Sequence, residues 1–128
     1  MTRPRSDPHA PAAELEAKLA AEGIAQWSLD IASGTVIASD FCRSWLGWIG
    51  NDVVDEGDLL SAIHPDDRAI FISALAGCAE SGDPFHLVHR ALPNSGDEIQ
   101  VETHGLAIVG NDGVTVRIAA VTATRLTA

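Results

Sequence analysis

The sequence predicts an α+β domain: an antiparallel sheet with helices gathered on one of its faces. Three observations carry this. Ala25, Trp27 and Leu29 alternate with polar neighbours and lead into a Ser33-Gly34 turn. Ile70, Phe71, Ala74, Leu75 and Cys78 recur at helical spacing in the middle of the chain. From Phe85 onward, alternating runs are separated by turn residues, the last turn being the hairpin signal Asn111-Asp112-Gly113. At 128 residues the chain fits one domain and can bury a core without disulfide or metal staples.

Each element follows in order. Residues 1–11 are rich in Pro and polar groups and read as a disordered tail. Over residues 12–22, Leu15 and Leu19 lie i,i+4 on one face of a short amphipathic helix that Gly23 stops. Such a helix is stable only when packed on something. The strand around Trp27 turns at Ser33-Gly34 into a second strand, Thr35 to Ala38. Ser39 or Asp40 can cap a short helix carrying Phe41, Trp45 and Leu46 and ended by Gly47. Asp58 to Ile63 reads as another short helical piece. In His64-Pro65-Asp66-Asp67-Arg68, Pro65 suits a first helical turn, and the two acids sit on the positive end of the helix dipole. The longer helix that follows ends near Gly82 and Pro84.

The last third is β. Phe85, Leu87 and His89 alternate with His86, Val88 and Arg90, and a turn is expected from Asn94 to Asp97. Ile99, Val101 and Thr103 alternate with Gln100, Glu102 and His104. Val114, Val116, Ile118 and Ala120 alternate with Thr115, Arg117, Ala119 and Val121. That makes five strands.

Charge and cysteine content narrow the function. The formal net charge of −10 opposes binding to a phosphate backbone or an anionic membrane, so neither nucleic acid nor membrane is expected as a partner. Cys42 and Cys78 form no Cys-x-x-Cys pair, and no His/Cys cluster has zinc spacing, so no metal is expected. Free thiols fit a reducing cytoplasm. Met1–Ala12 has two Arg and three Pro but no apolar h-region, unlike a signal peptide.

The order of elements and its local motifs resemble the PAS fold. The motifs are Trp27-Ser28-Leu29-Asp30, Ser33-Gly34, Ser39-Asp40-Phe41, Trp45-Leu46-Gly47 and Ile63-His64-Pro65-Asp66-Asp67-Arg68, then Phe85, His89-Arg90, Gly96 and Asp112-Gly113. The likeness is to the subgroup with a Trp-rich first strand and a His-Pro-Asp-Asp-Arg helix start, and it implies a PAS domain over residues 23–125. It also implies a sensor and interaction module for signal transduction, not an enzyme. A free-standing module regulating sensor histidine kinases or similar proteins is expected, from the Met start and from the last strand. Relatives often finish in Asp-Ile-Thr, whose Asp couples to a downstream domain, whereas Ala120 to Arg125 holds no acid. The alternative is the excised sensor domain of a larger histidine kinase or of a diguanylate cyclase or phosphodiesterase. A small enzyme is the least supported reading, because nothing places a base beside Ser44, Ser61 or the acids Asp97, Glu98 and Glu102.

The resemblance places a cavity between the sheet and the long helix. Its candidate lining is Trp27, Phe41, Trp45, Phe71, Phe85, Leu87, His89, Val101 and Ile118. A small organic ligand is allowed there, but no flavin or haem. The light-oxygen-voltage cysteine motif is absent, and Asp66 to Ser81 holds no His to ligate haem. His89 shares parity with Phe85 and Leu87, and such a residue is more often hydrogen-bonded in a core than a ligand. The outward parity set Val88, Arg90, Gln100, Glu102, His104, Arg117 and Val121 is the candidate interface. Leu15 and Leu19 are expected to cover that face or to join two protomers as a dimer.

Overall fold

The alternating segments pair into one antiparallel sheet because each has a single apolar face to bury. The computed structural model describes residues 9–47, 53–93 and 96–124. Helix α1 spans His9–Ala21, followed by strands β1 (Ile24–Asp30) and β2 (Thr35–Ala38) and helix α2 (Asp40–Leu46). Strand β3 (Val53–Asp55) and helix α3 (Glu56–Ser61) come next. A 3-10 turn at Pro65–Asp67 leads into helix α4 (Arg68–Ser81), and β4 (Phe85–Ala91), β5 (Ile99–Val109) and β6 (Thr115–Thr124) complete the sheet. The strand order is β3-β2-β1-β6-β5-β4, six strands where five are expected from sequence. The extra one is β3, which pairs antiparallel with β2 and is only three residues long, too short to show a period.

Two boundaries also move. Helix α1 begins at His9, so residues 9–11 belong to it and not to a tail. Pro11 is tolerated because it falls in the first turn, where backbone N–H groups have no intrahelical acceptor. The expected tail residues 1–8, the turn residues 94 and 95, and Arg125 lie outside the described residues. Helix α3 starts at Glu56, two residues before the predicted Asp58, because Asp55 and Asp58 form a reciprocal capping box. Ser39 caps α2 by accepting from the Cys42 N–H, and Gly47 closes it at a φ of 81°.

The parity of β6 changes part-way. Ile108 pairs with Arg117 and Val109 with Thr115, which leaves Val116 as a bulge. Ile118 and Ala120 therefore face the core, as alternation predicts, but Val114 and Val116 are exposed and Thr115 is buried. Strict alternation fails there.

The core lies between the inner face and α2, α3 and α4. Phe71, Ile118, Val36, Val101, Thr103 and Cys42 are its largest fully buried side chains. Of the expected α4 stripe, Phe71, Leu75 and Cys78 are buried, whereas Ile70 is exposed. Among the described residues no helix is long and apolar enough to cross a membrane.

Candidate functional site

Inner and outer faces of the sheet offer two different sites. On the inner face, four strands contribute polar groups to one buried chain of hydrogen bonds. The Trp27 indole N–H donates to Thr122 Oγ1 at 3.0 Å. Thr122 and Thr103 hydroxyls lie 2.8 Å apart, and Thr103 Oγ1 is 2.8 Å from His89 Nε2. His89 Nδ1 is 3.3 Å from the Arg90 carbonyl. One assignment satisfies every group: Thr122 donates to Thr103, Thr103 to Nε2, and Nδ1–H to the carbonyl. His89 is then neutral, and burial, the largest influence on it, accordingly pushes its pKa down.

The chain continues to the start of α4. Asp67 accepts from the Arg90 backbone N–H at 2.7 Å and takes its guanidinium at 3.0 and 2.8 Å. The side-chain hydrogen bond from Arg90 is the main reason the Asp67 carboxyl is held at about 2. Arg90, assigned from parity to the outer interface, is therefore committed to Asp67 on the helix side. It sits on edge strand β4, so its long side chain reaches around the edge. From its sequence position alone Asp67 reads only as an acid on the helix dipole. His64 Nδ1 caps the Asp66 N–H at 3.1 Å.

Trp27, Trp45, Phe71 and His89 line an interior cavity together with Cys42, Leu59 and Thr122. Its volume is about 20 Å³, room for one water, whereas pockets for organic ligands run to about 300–1,000 Å³. Val101 and Ile118 are buried outright, Leu87 is half-buried, and Phe41 stacks on Trp45 at a centroid distance of 5.9 Å. Those four fill the core or pack against it without lining the cavity. Phe85 lies instead over Gly105, its register partner, so closely that a Cβ there would fall 2.3 Å from the ring. Burial pushes the Cys42 thiol up to about 12, which keeps it protonated and unreactive.

The stability of the inner network depends on pH with a definite sign. Since burial depresses the His89 imidazole, the unfolded chain binds the proton more readily than the folded one. That contribution is complete above about pH 6.5 and is lost as pH falls through the lowered folded value. Thermal melts at about pH 7.5 and about pH 5.5 should show the wild type losing more stability than His89→Gln. Equal losses would mean that His89 is not held neutral.

The outer face is open. Leu106, Ala119, Ser28 and Ile37 are register partners across β5, β6, β1 and β2. Leu106 is 55% and Ile37 49% exposed. A shallow groove of about 630 Å³ runs over them, bounded by Gln26, His104, Val121 and Phe85. On one side stand Glu102 and His104 with half-buried Val88 and exposed Gln100. On the other, Arg117 donates to Ser28 at 2.9 Å and to Asp30 at 3.3 Å. Helix α1 packs on β1, and Leu15 stays 53% exposed with Leu19 half-buried. No described residue of α1 lines the groove.

Comparison with known proteins agrees with this geometry. A family model described as PAS fold matches residues 35–122, more than half of the chain. Several solved structures are similar. A domain of a putative light and redox sensing histidine kinase from Haloarcula marismortui has a TM-score of 0.71 at 19% identity, covering 89% of this chain and 99% of that one. A sensory box histidine kinase/response regulator from Burkholderia thailandensis E264 has a TM-score of 0.67 at 21% identity, covering 87% and 83%. The N-terminal domain of a diguanylate cyclase with PAS/PAC sensor from Marinobacter aquaeolei has a TM-score of 0.69 at 16% identity, covering 79% and 94%. No curated protein matches.

Proposed function

Since the chain belongs to the PAS fold family, we propose that it is a signalling module that regulates proteins such as sensor histidine kinases by contact through the outer face of its sheet. The observation that carries this reading is the row Leu106–Ala119–Ser28–Ile37, whose two apolar ends are 55% and 49% exposed and whose small middle residues lie beside the polar Arg117. The inner cavity, at about 20 Å³, is small beside the groove of about 630 Å³ on the outer face. The output surface is then the sheet, with the inner network holding its register. Leu15, exposed on α1, is available to join two protomers or to meet the same partner. Likeness to domains of histidine kinases and of a diguanylate cyclase supports this kind of partner, whether it is a separate protein or fused to the module.

A double variant tests the surface. Arg117→Glu with Val121→Glu should abolish or strongly weaken binding to a purified sensor histidine kinase while the melting temperature hardly moves. Stability should survive because the Arg117–Asp30 pair is partly exposed, and such pairs contribute little. Asp30 is held below the usual carboxylate range chiefly by the Ser33 backbone N–H, with Arg117 the smallest cause. Normal binding by the double variant would show that the contact lies elsewhere.

A further inference from the structure

We propose that His86, Glu102 and His104 form a surface site for a borderline transition-metal cation, Zn²⁺ being the ion the donor set suits best. His86 on β4 and His104 on β5 are direct register partners. Glu102 stands two residues before His104, so it projects from the same face. The two imidazoles stack with centroids 4.2 Å apart and planes 8° apart, and both Nε2 atoms lie near one Glu102 oxygen. His86 Nε2 lies 2.6 Å from Glu102 Oε2, and His104 Nε2 lies 3.7 Å from the same oxygen. One donor atom from each residue falls within 4.8 Å of the others.

Those distances are close to what a tetrahedral ion needs. Zn–N and Zn–O bonds of about 2.0–2.2 Å separate neighbouring donors by roughly 3.3–3.5 Å. The His104 contact already has that scale, and the His86–Glu102 hydrogen bond has to open by less than about 1 Å. Both histidine side chains are more than half exposed, at 52% and 57%, so rotation alone supplies the change. Each ring would bind through the Nε2 lone pair as its Nδ1–H tautomer, and the proton shared with Glu102 would leave to solvent. Two imidazoles and one carboxylate favour Zn²⁺, Ni²⁺ or Cu²⁺ over Mg²⁺ and Ca²⁺, which prefer oxygen donors throughout. Three protein donors leave a fourth position for water, beside the groove that His104 lines. A bound ion would clamp β4 to β5. This inference rests on the three side chains and not on the proposed docking role.

Calorimetric titration of the untagged full chain with ZnCl₂, after stripping with a chelator, tests it directly. One Zn²⁺ per chain is expected, with Mg²⁺ and Ca²⁺ giving no comparable heat, and the melting temperature should rise as the site fills. Co²⁺ in place of Zn²⁺ should give visible d–d absorption. His86→Ala with His104→Ala should weaken binding by more than about tenfold, since losing even an outer partner of a metal ligand costs that much. Glu102→Gln should weaken it also, and serves if the double variant folds poorly. His64→Ala, which removes a histidine 3.3 Å from Glu98 at another place, should bind as the wild type does. The proposal is overturned if wild type and double variant bind Zn²⁺ equally, if the hard cations match it, or if only His64→Ala lowers affinity.

Discussion

Phe71→Ala is expected to lower stability by about 3–5 kcal/mol, the cost of emptying a well-packed aromatic site. Phe71 is 1% exposed and touches two different parts of the inner face. Its ring lies 6.0 Å from Trp27, centroid to centroid, and meets the His89 imidazole edge-on at 5.2 Å. The ring also forms one wall of the interior cavity, so truncation enlarges a space that the surrounding strands cannot collapse into. Phe71→Leu should cost less because it keeps most of the volume. Urea unfolding followed by tryptophan fluorescence would measure both. A loss below about 1 kcal/mol for the alanine variant would mean that α4 turns another face to the sheet.

Thr103→Val is expected to cost about 2–6 kcal/mol although it preserves shape. Its hydroxyl is the middle of the inner chain, donating to His89 Nε2 and accepting from Thr122. Valine would leave both neighbours without that partner in a region closed to solvent, at about 1–3 kcal/mol for each group. The fully buried position adds no relief by hydration. Thr122→Val should also destabilise, because the Trp27 N–H is then orphaned. The same unfolding measurement decides the matter: a Thr103→Val loss within about 0.5 kcal/mol of zero would show that the hydroxyls are not coupled as assigned.

Most secondary structure was legible because it is written locally. Alternation around Trp27, the Ser33-Gly34 turn, the Ser39 cap and the Gly47 and Gly82 stops each depend on neighbours a few residues away. The missed pieces have local reasons as well. Strand β3 is too short to show a period, and Val116 is a bulge that only its pairing with β5 reveals. The inner parity of Trp27, Val101 and Ile118 was readable, but the space left among the core side chains was not, since it depends on how helices and sheet meet.

The α+β class, the order of the elements and the face most strands bury follow from local signals along the chain. Backbone stereochemistry and hydrophobic period act over single turns and strands, so one chain read in order contains them. Tertiary structure alone decided which distant side chains share a site. Asp67 and Arg90 are 23 residues apart, and their pairing follows from β4 being an edge beside the start of α4. His86 and His104 have no metal-like spacing along the chain, yet they stand opposite each other once β4 and β5 pair. Register makes such neighbours, because a one-residue slip would send every side chain of a strand to the other face.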